Sequence, residues 1–125
     1  MQFRESQAIY LQIAEYVCEK VLLKEWEPAA RIPSVRELAV HLEVNPNTVM
    51  RTYEFLQQQE IIFNQRGIGF FIAADAVQKV KNYSKERFLG QELPELFKSM
   101  YLLGISVEDI AERFEIFKAQ NYQTK

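Results

Sequence analysis

Apolar residues recur every fourth position near the start of the chain, at Ile9, Ile13, Val17 and Val21, with Tyr10 and Ala14 beside them. That stripe predicts an amphipathic helix from about Gln7 to Lys24. The stretch WEPAARIP has two prolines and no helical period, so it reads as a connector. Ser34 followed by Glu37 forms a capping box, which opens a second helix with Val35, Leu38, Ala39 and Leu42 on its apolar side and an end near Glu43. Asn45 is a favoured N-cap and Pro46 suits the first helical position, so a third helix is predicted from Pro46 to about Gln58. Two short helices separated by so tight a turn are a helix-turn-helix. In IIFNQRGIGFFI, β-branched and aromatic residues flank Arg66-Gly67-Ile68-Gly69, a hairpin signal. The order helix, helix, helix, hairpin is that of a winged helix.

From Asp75 the period is helical again, with Val77, Val80, Ser84 and Phe88 on one face. Gly90 and Pro94 lie close together and are expected to break or kink that run. A helix from about Pro94 to Leu103 should stop at Gly104, and Ser106 with Asp109 should open a last helix carrying Val107, Ile110, Ala111, Phe114 and Phe117. The predicted fold is mostly α with a small β-hairpin. Residues 1–74 form a winged helix-turn-helix domain and residues 75–125 a short helical dimerisation segment.

At 125 residues there is room for one small domain and an appendage, but not for a large enzyme module. The chain is 48% apolar, enough for a core, yet no run approaches the length of a membrane span. The opening MQFRESQ lacks the apolar stretch of a signal peptide, so a cytoplasmic protein without membrane contact is expected. Only Cys18 and His41 are soft metal ligands, which leaves neither a zinc site nor an internal disulfide, and no cofactor is expected. Cys18 reads as a small core residue.

Charge constrains the choice of partner. The net charge is −2, and residues 1–74 carry seven Lys/Arg against nine Glu, so affinity for DNA has to come from where a few arginines point. On a helical wheel Val49, Tyr53 and Leu56 face the core, whereas Asn47, Thr48 and Arg51 point away from it. Asn and Arg on the first turns of an exposed helix can read adenine and guanine edges in a major groove. Arg36 lies in the first turn of the second helix, where free amides and the helix dipole favour phosphate, and Arg31 and Ser34 lie on the approach to it. Arg66 beside Gly67 at the wing tip is placed for the minor groove or the backbone. The wheel leaves Phe55 near the exposed side without an assigned neighbour.

Arg31 to Ile72, RIPSVRELAVHLEVNPNTVMRTYEFLQQQEIIFNQRGIGFFI, resembles the signature of the GntR family of bacterial regulators, and IYLQI in the first helix matches its usual opening. Asn45 to Val49 and the tail LPELFKSMYLLGISVEDI are typical of the YtrA-like subfamily. The resemblance implies a homodimeric repressor on a roughly palindromic double-stranded operator, with a transporter operon as a target class and contacts at Arg36, from Asn45 through Arg51, and at Gly67. The sequence departs from the family at Glu27-Pro28, at Glu43 and at Gln59-Glu60, where glycines are usual.

Phe88, Leu96, Phe97, Met100, Tyr101, Ile110, Phe114 and Phe117 hold more apolar surface than a few short helices bury among themselves. A second copy is the expected cover, and the alternative use is a pocket for an apolar small-molecule effector of unknown identity. The rival functional class is a winged-helix protein-interaction module without specific DNA binding. Enzyme function is not expected, because His41 forms no triad with Cys18 or a serine.

Overall fold

A computed structural model describes residues 1–4 and 7–122. In chain order the elements are α1 (Ile9–Leu22), α2 (Val35–Leu42), α3 (Pro46–Gln58), β1 (Ile62–Gln65), β2 (Gly69–Ile72), α4 (Ala76–Arg87), a π-helical stretch (Phe88–Glu92), α5 (Leu93–Leu103) and α6 (Val107–Asn121). Residues 1–84 form one compact unit, and residue 85 onward forms a second.

The first unit is the winged helix. Ile13, Val17 and Val21 of α1, Leu38 and Leu42 of α2, and Val49, Tyr53 and Leu56 of α3 meet Ile61, Ile62 and Ile72 from the hairpin in one buried core. Ala76 and Val80 of α4 are fully buried in the same core. That burial draws Asp75 to Ser84 into the first unit, beyond the boundary at residue 74 that periodicity suggests.

Local chemistry sets the helix ends. The Ser34 hydroxyl accepts the Glu37 N–H at 3.1 Å and the Glu37 carboxylate accepts the Ser34 N–H at 2.8 Å, so the capping box is complete. Asn45 caps α3 by accepting the Asn47 N–H at 2.8 Å. The strands pair antiparallel from Ile62↔Ile72 to Gln65↔Gly69, and Gly67 turns the chain at φ 79°.

The connector before α2 is more ordered than its composition suggests. Ala29 N–H donates to the Ile72 carbonyl, Ile32 N–H to that of Phe70 and Ile72 N–H to that of Ala30, so Arg31 bridges Phe71 as a short third rung on β2. Gly90 and Pro94 do not break the helical run. The backbone instead widens, with Leu93 N–H donating to the Phe88 carbonyl five residues back. A π-turn moves the carbonyl that the Pro94 ring would otherwise strike and tolerates its missing N–H.

In the second unit α5 ends at Gly104 in the left-handed conformation, and α6 opens on a Ser106–Asp109 capping box. Met100 is buried there, while every described α6 residue is at least partly exposed.

Besides Lys24 at φ 61° after α1, three residues that are not glycine are left-handed in turns: Ala29 at φ 67°, Glu43 at 57° and Glu60 at 60°. They coincide with, or adjoin, the positions where the family usually has glycine. A side chain in this region costs roughly 1 kcal/mol. Ala29→Gly and Glu43→Gly are each expected to raise the unfolding free energy by about 1 kcal/mol in urea titrations, and a loss of stability would contradict the strain. The capping box makes a second prediction. The Ser34 N–H and then its hydroxyl hold the Glu37 carboxyl below its ordinary range. A lowered folded-state pKa stabilises the fold above the unfolded value, and that stability is lost as pH falls through the folded one. The penalty of Ser34→Ala should therefore shrink between pH 7 and pH 3, as read by denaturant midpoints.

Candidate nucleic-acid interface

Four core residues dictate which side of α3 is presented. Val49, Thr52, Tyr53 and Leu56 are buried, which turns Asn47, Met50, Arg51, Glu54 and Gln58 outward. Thr48, expected on the outer face, is half-buried. Asn45 is engaged as the cap, so its side-chain oxygen already accepts a backbone N–H. Met50, 43% exposed, was not singled out by the wheel. The signal available for it was its spacing of three from Asn47, which an emphasis on polar types passes over. An exposed thioether in that row suits apolar contact with a thymine methyl.

Tyr53 holds this helix to its surroundings. Its hydroxyl donates to the Pro33 carbonyl at 2.6 Å, and its ring meets Phe70 of β2 edge-on at 4.8 Å. Burial pushes the phenol pKa far up, so the hydroxyl stays a donor.

At the start of α2 Arg36 is exposed in the first turn. The capping box uses the amides of Ser34 and Glu37, leaving those of Val35 and Arg36 as the ones helix geometry does not pair. Ser34 thus acts through the helix end, and the Glu37 carboxylate puts a negative charge beside it. Arg31 is positioned by the wing. Its Nε lies 3.0 Å from where a Cβ on Gly69 would sit, so a larger residue there would push the guanidinium off β2 by a few tenths of an ångström, and the φ of 141° at Gly69 itself favours glycine. Arg66 and Gly67 are exposed at the turn, and Gly67 has open space around it, so its φ alone demands glycine there.

Among the described residues, the ion pairs engage Arg4, Lys20, Lys79 and Lys118, and none of them involves Arg31, Arg36, Arg51 or Arg66. Arg51 has a different partner: its guanidinium carbon lies 3.9 Å from the centre of the Tyr10 ring. Phe55 meets Tyr10 edge-on at 6.3 Å and Tyr83 of α4 at 5.6 Å, so it packs between helices of the first unit. Gln12 was also missed by periodicity. This buried amide accepts the Arg4 N–H at 2.8 Å and donates to the Arg4 and Gln7 carbonyls, fastening the N-terminal segment to α1.

Among the described residues there is no cluster of three His, Cys, Asp or Glu placed to hold a metal, and no helix long and apolar enough to cross a membrane. Cys18 is buried in the core. In the second unit Phe88, Leu96, Phe97, Tyr101, Phe114 and Phe117 are exposed and Ile110 is half-buried. Met100, also expected on the dimer face, differs from these in being buried within one chain.

Comparison with known proteins agrees with this architecture. The family model described as bacterial regulatory proteins, gntR family, matches residues 9–72, from the start of α1 to the end of the wing. The HTH-type transcriptional regulator YhcF of Bacillus subtilis is 37% identical over 93% of this chain and 94% of its own. The HTH-type transcriptional repressor YtrA of Bacillus subtilis is 33% identical over 87% of this chain and 83% of its own. A crystal structure of a GntR-family transcriptional regulator from Bacteroides thetaiotaomicron superposes with a TM-score of 0.70 at 50% identity, covering 91% of this chain and all of that one. With helices, wing and tail matched together, the chain belongs to the gntR family of bacterial regulatory proteins, in its YtrA-like branch, as a transcription regulator with a winged-helix DNA-binding domain.

Proposed function

We propose that the protein is a homodimeric repressor that binds a palindromic operator, with one winged helix reading each half-site. The observation that carries the dimer is the apolar exposure of the second unit. Tyr101 is 87% exposed, Phe114 57% and Phe97 53%, far more large apolar surface in one short segment than a monomer normally shows to water. A second copy covering that surface displays two recognition helices, as two half-sites require. Repression is carried over from YtrA, which is named a repressor, and a transporter operon is the target class that the resemblance suggests.

On the DNA, Asn47 and Arg51 read bases, and Arg31, Arg36 and the Arg66–Gly67 turn hold backbone or minor groove. What supports this division is position. Asn47 and Arg51 lie on the outward face of α3, whereas Arg36 sits at a helix start whose remaining amides favour phosphate. With a chain of net charge −2, affinity rests on these few side chains, each displayed twice.

Binding of the full chain to its own upstream DNA and to a scrambled duplex, by fluorescence anisotropy at low salt, tests the reading. Arg36→Ala is expected to weaken both complexes to a similar degree, and Arg51→Ala to lower discrimination between them by about 5- to 100-fold. Equal affinity of the native protein for both duplexes would instead favour a protein-interaction module, the reading its acidic balance supports. Separately, Tyr101→Glu with Phe117→Glu should give a monomer by ultracentrifugation, with helical content retained in the first unit, and should abolish specific binding. A monomer that still bound specifically would refute the dimer requirement.

A further inference from the structure

The Tyr10–Arg51 contact has no role in the core and none in capping. Arg51 is exposed on the outward face of α3, yet its guanidinium carbon is 3.9 Å from the Tyr10 ring centre. Stacking engages only the flat face of a guanidinium. The five N–H donors lie in its plane and stay available for a bidentate partner. No side-chain hydrogen bond or ion pair among the described residues uses the Arg51 donors, so the ring contact restricts where the fork points without occupying it.

The ring is itself fixed. Thr52, wholly buried, places its hydroxyl 2.7 Å from the Tyr10 carbonyl and 3.1 Å from that of its own helix at Thr48. The shorter of these fastens the first turn of α1 to the second turn of α3. Phe55 braces the ring edge-on at 6.3 Å, and Tyr83 braces Phe55 at 5.6 Å. Backbone and ring of Tyr10 are both held, and both holds come from α3 residues one and four positions beyond Arg51.

From this geometry we infer that Tyr10 is a positioning residue for DNA recognition, presetting the Arg51 guanidinium so that it meets a base edge already oriented. The inference rests on Arg51 reading a base. A long, flexible side chain otherwise loses rotamer freedom on binding, and ordering it beforehand removes that loss from the complex with the correct site. On a non-cognate duplex there is no base partner to profit from the orientation. Tyr10 thus acts on discrimination more than on overall affinity.

The test uses the full chain and a duplex selected by the native protein from a randomised library, with a scrambled duplex as reference. The quantity read is the ratio of the two dissociation constants. Tyr10→Leu is expected to lower that ratio about three- to fivefold, the range of an exposed cation–π contact, while Tyr10→Phe keeps it. In an Arg51→Met background, Tyr10→Leu should cause no further loss. A loss that persists without Arg51, a Tyr10→Phe variant as poor as Tyr10→Leu, or a ratio that rises with Tyr10→Leu would each overturn the positioning role. The second result would assign the effect to the hydroxyl, and the third would mean that the ring sequesters Arg51. If Arg51→Met alone leaves the ratio unchanged, base reading by Arg51 fails, and the inference fails with it. Proton NMR of the free protein gives an independent reading should Tyr10→Leu not fold. The Arg51 δ-protons should be shifted upfield by the ring current in the native chain and in Tyr10→Phe, and unshifted resonances would show that the stack is not populated.

Discussion

Tyr53 is the constraint on which the presentation of the recognition helix depends. It is wholly buried, its hydroxyl donates to the carbonyl of Pro33, and its ring lies against Phe70. One side chain of α3 therefore touches the residue just before the α2 cap and the second strand of the wing. Pro33 has no N–H with which to anchor itself, so its carbonyl and the following cap fix the entry into α2. Losing the phenol would leave a carbonyl in a poorly solvated place, a cost of about 1 to 3 kcal/mol. It would also loosen α2 and the wing together, and these two elements carry Arg36, Arg66 and the residues that position Arg31.

The acidic balance of the chain and its DNA-binding fold are reconciled by which charges already have partners. Arg4, Lys20, Lys79 and Lys118 are engaged with carboxylates, which makes them poor contributors to an external field. Arg31 is laid along Gly69 and Arg51 over Tyr10, contacts that orient a guanidinium without neutralising it. Counting charges treats these two groups of cations as equal. Phosphates and bases respond more strongly to the second, and a field built from a few oriented arginines is short-ranged at physiological salt.

What was legible in the sequence follows the range of the interaction responsible. The start of α3 at Pro46 and its end at Gln58 are read correctly because the Asn-Pro cap and the apolar spacing are local, and the same holds for Ser34–Glu37, Gly104 and Ser106–Asp109. The outward direction of Asn47 and Arg51 follows from periodicity alone. Three features escape it. The rung at Arg31 depends on the register of β2, some forty residues away in the chain. The pairing of Phe55 with Tyr83 depends on α4 returning to the winged helix, which its modest apolar face does not announce. The helix through Gly90 and Pro94 depends on a five-residue widening, where residue types that usually end a helix shift its hydrogen bonding instead.

The second unit sets a thermodynamic requirement of its own. Short helices are marginal in water unless an apolar face is buried, and here Met100 is the one α5 residue buried, with none buried in α6. Both helices nonetheless have strong local stops and starts, so their boundaries are specified more firmly than their packing. A segment of this kind is stabilised by whatever covers its apolar side. For a proposed dimer the consequence is concentration dependence: protomer concentration enters the stability of the second unit directly, whereas the winged helix has its own core. Operator occupancy then varies more steeply with the amount of protein than a single binding site allows, because pairing and specific binding draw on the same equilibrium. On the proposed reading an acidic monomer with few oriented arginines would be a weak DNA binder, and the pair a selective one.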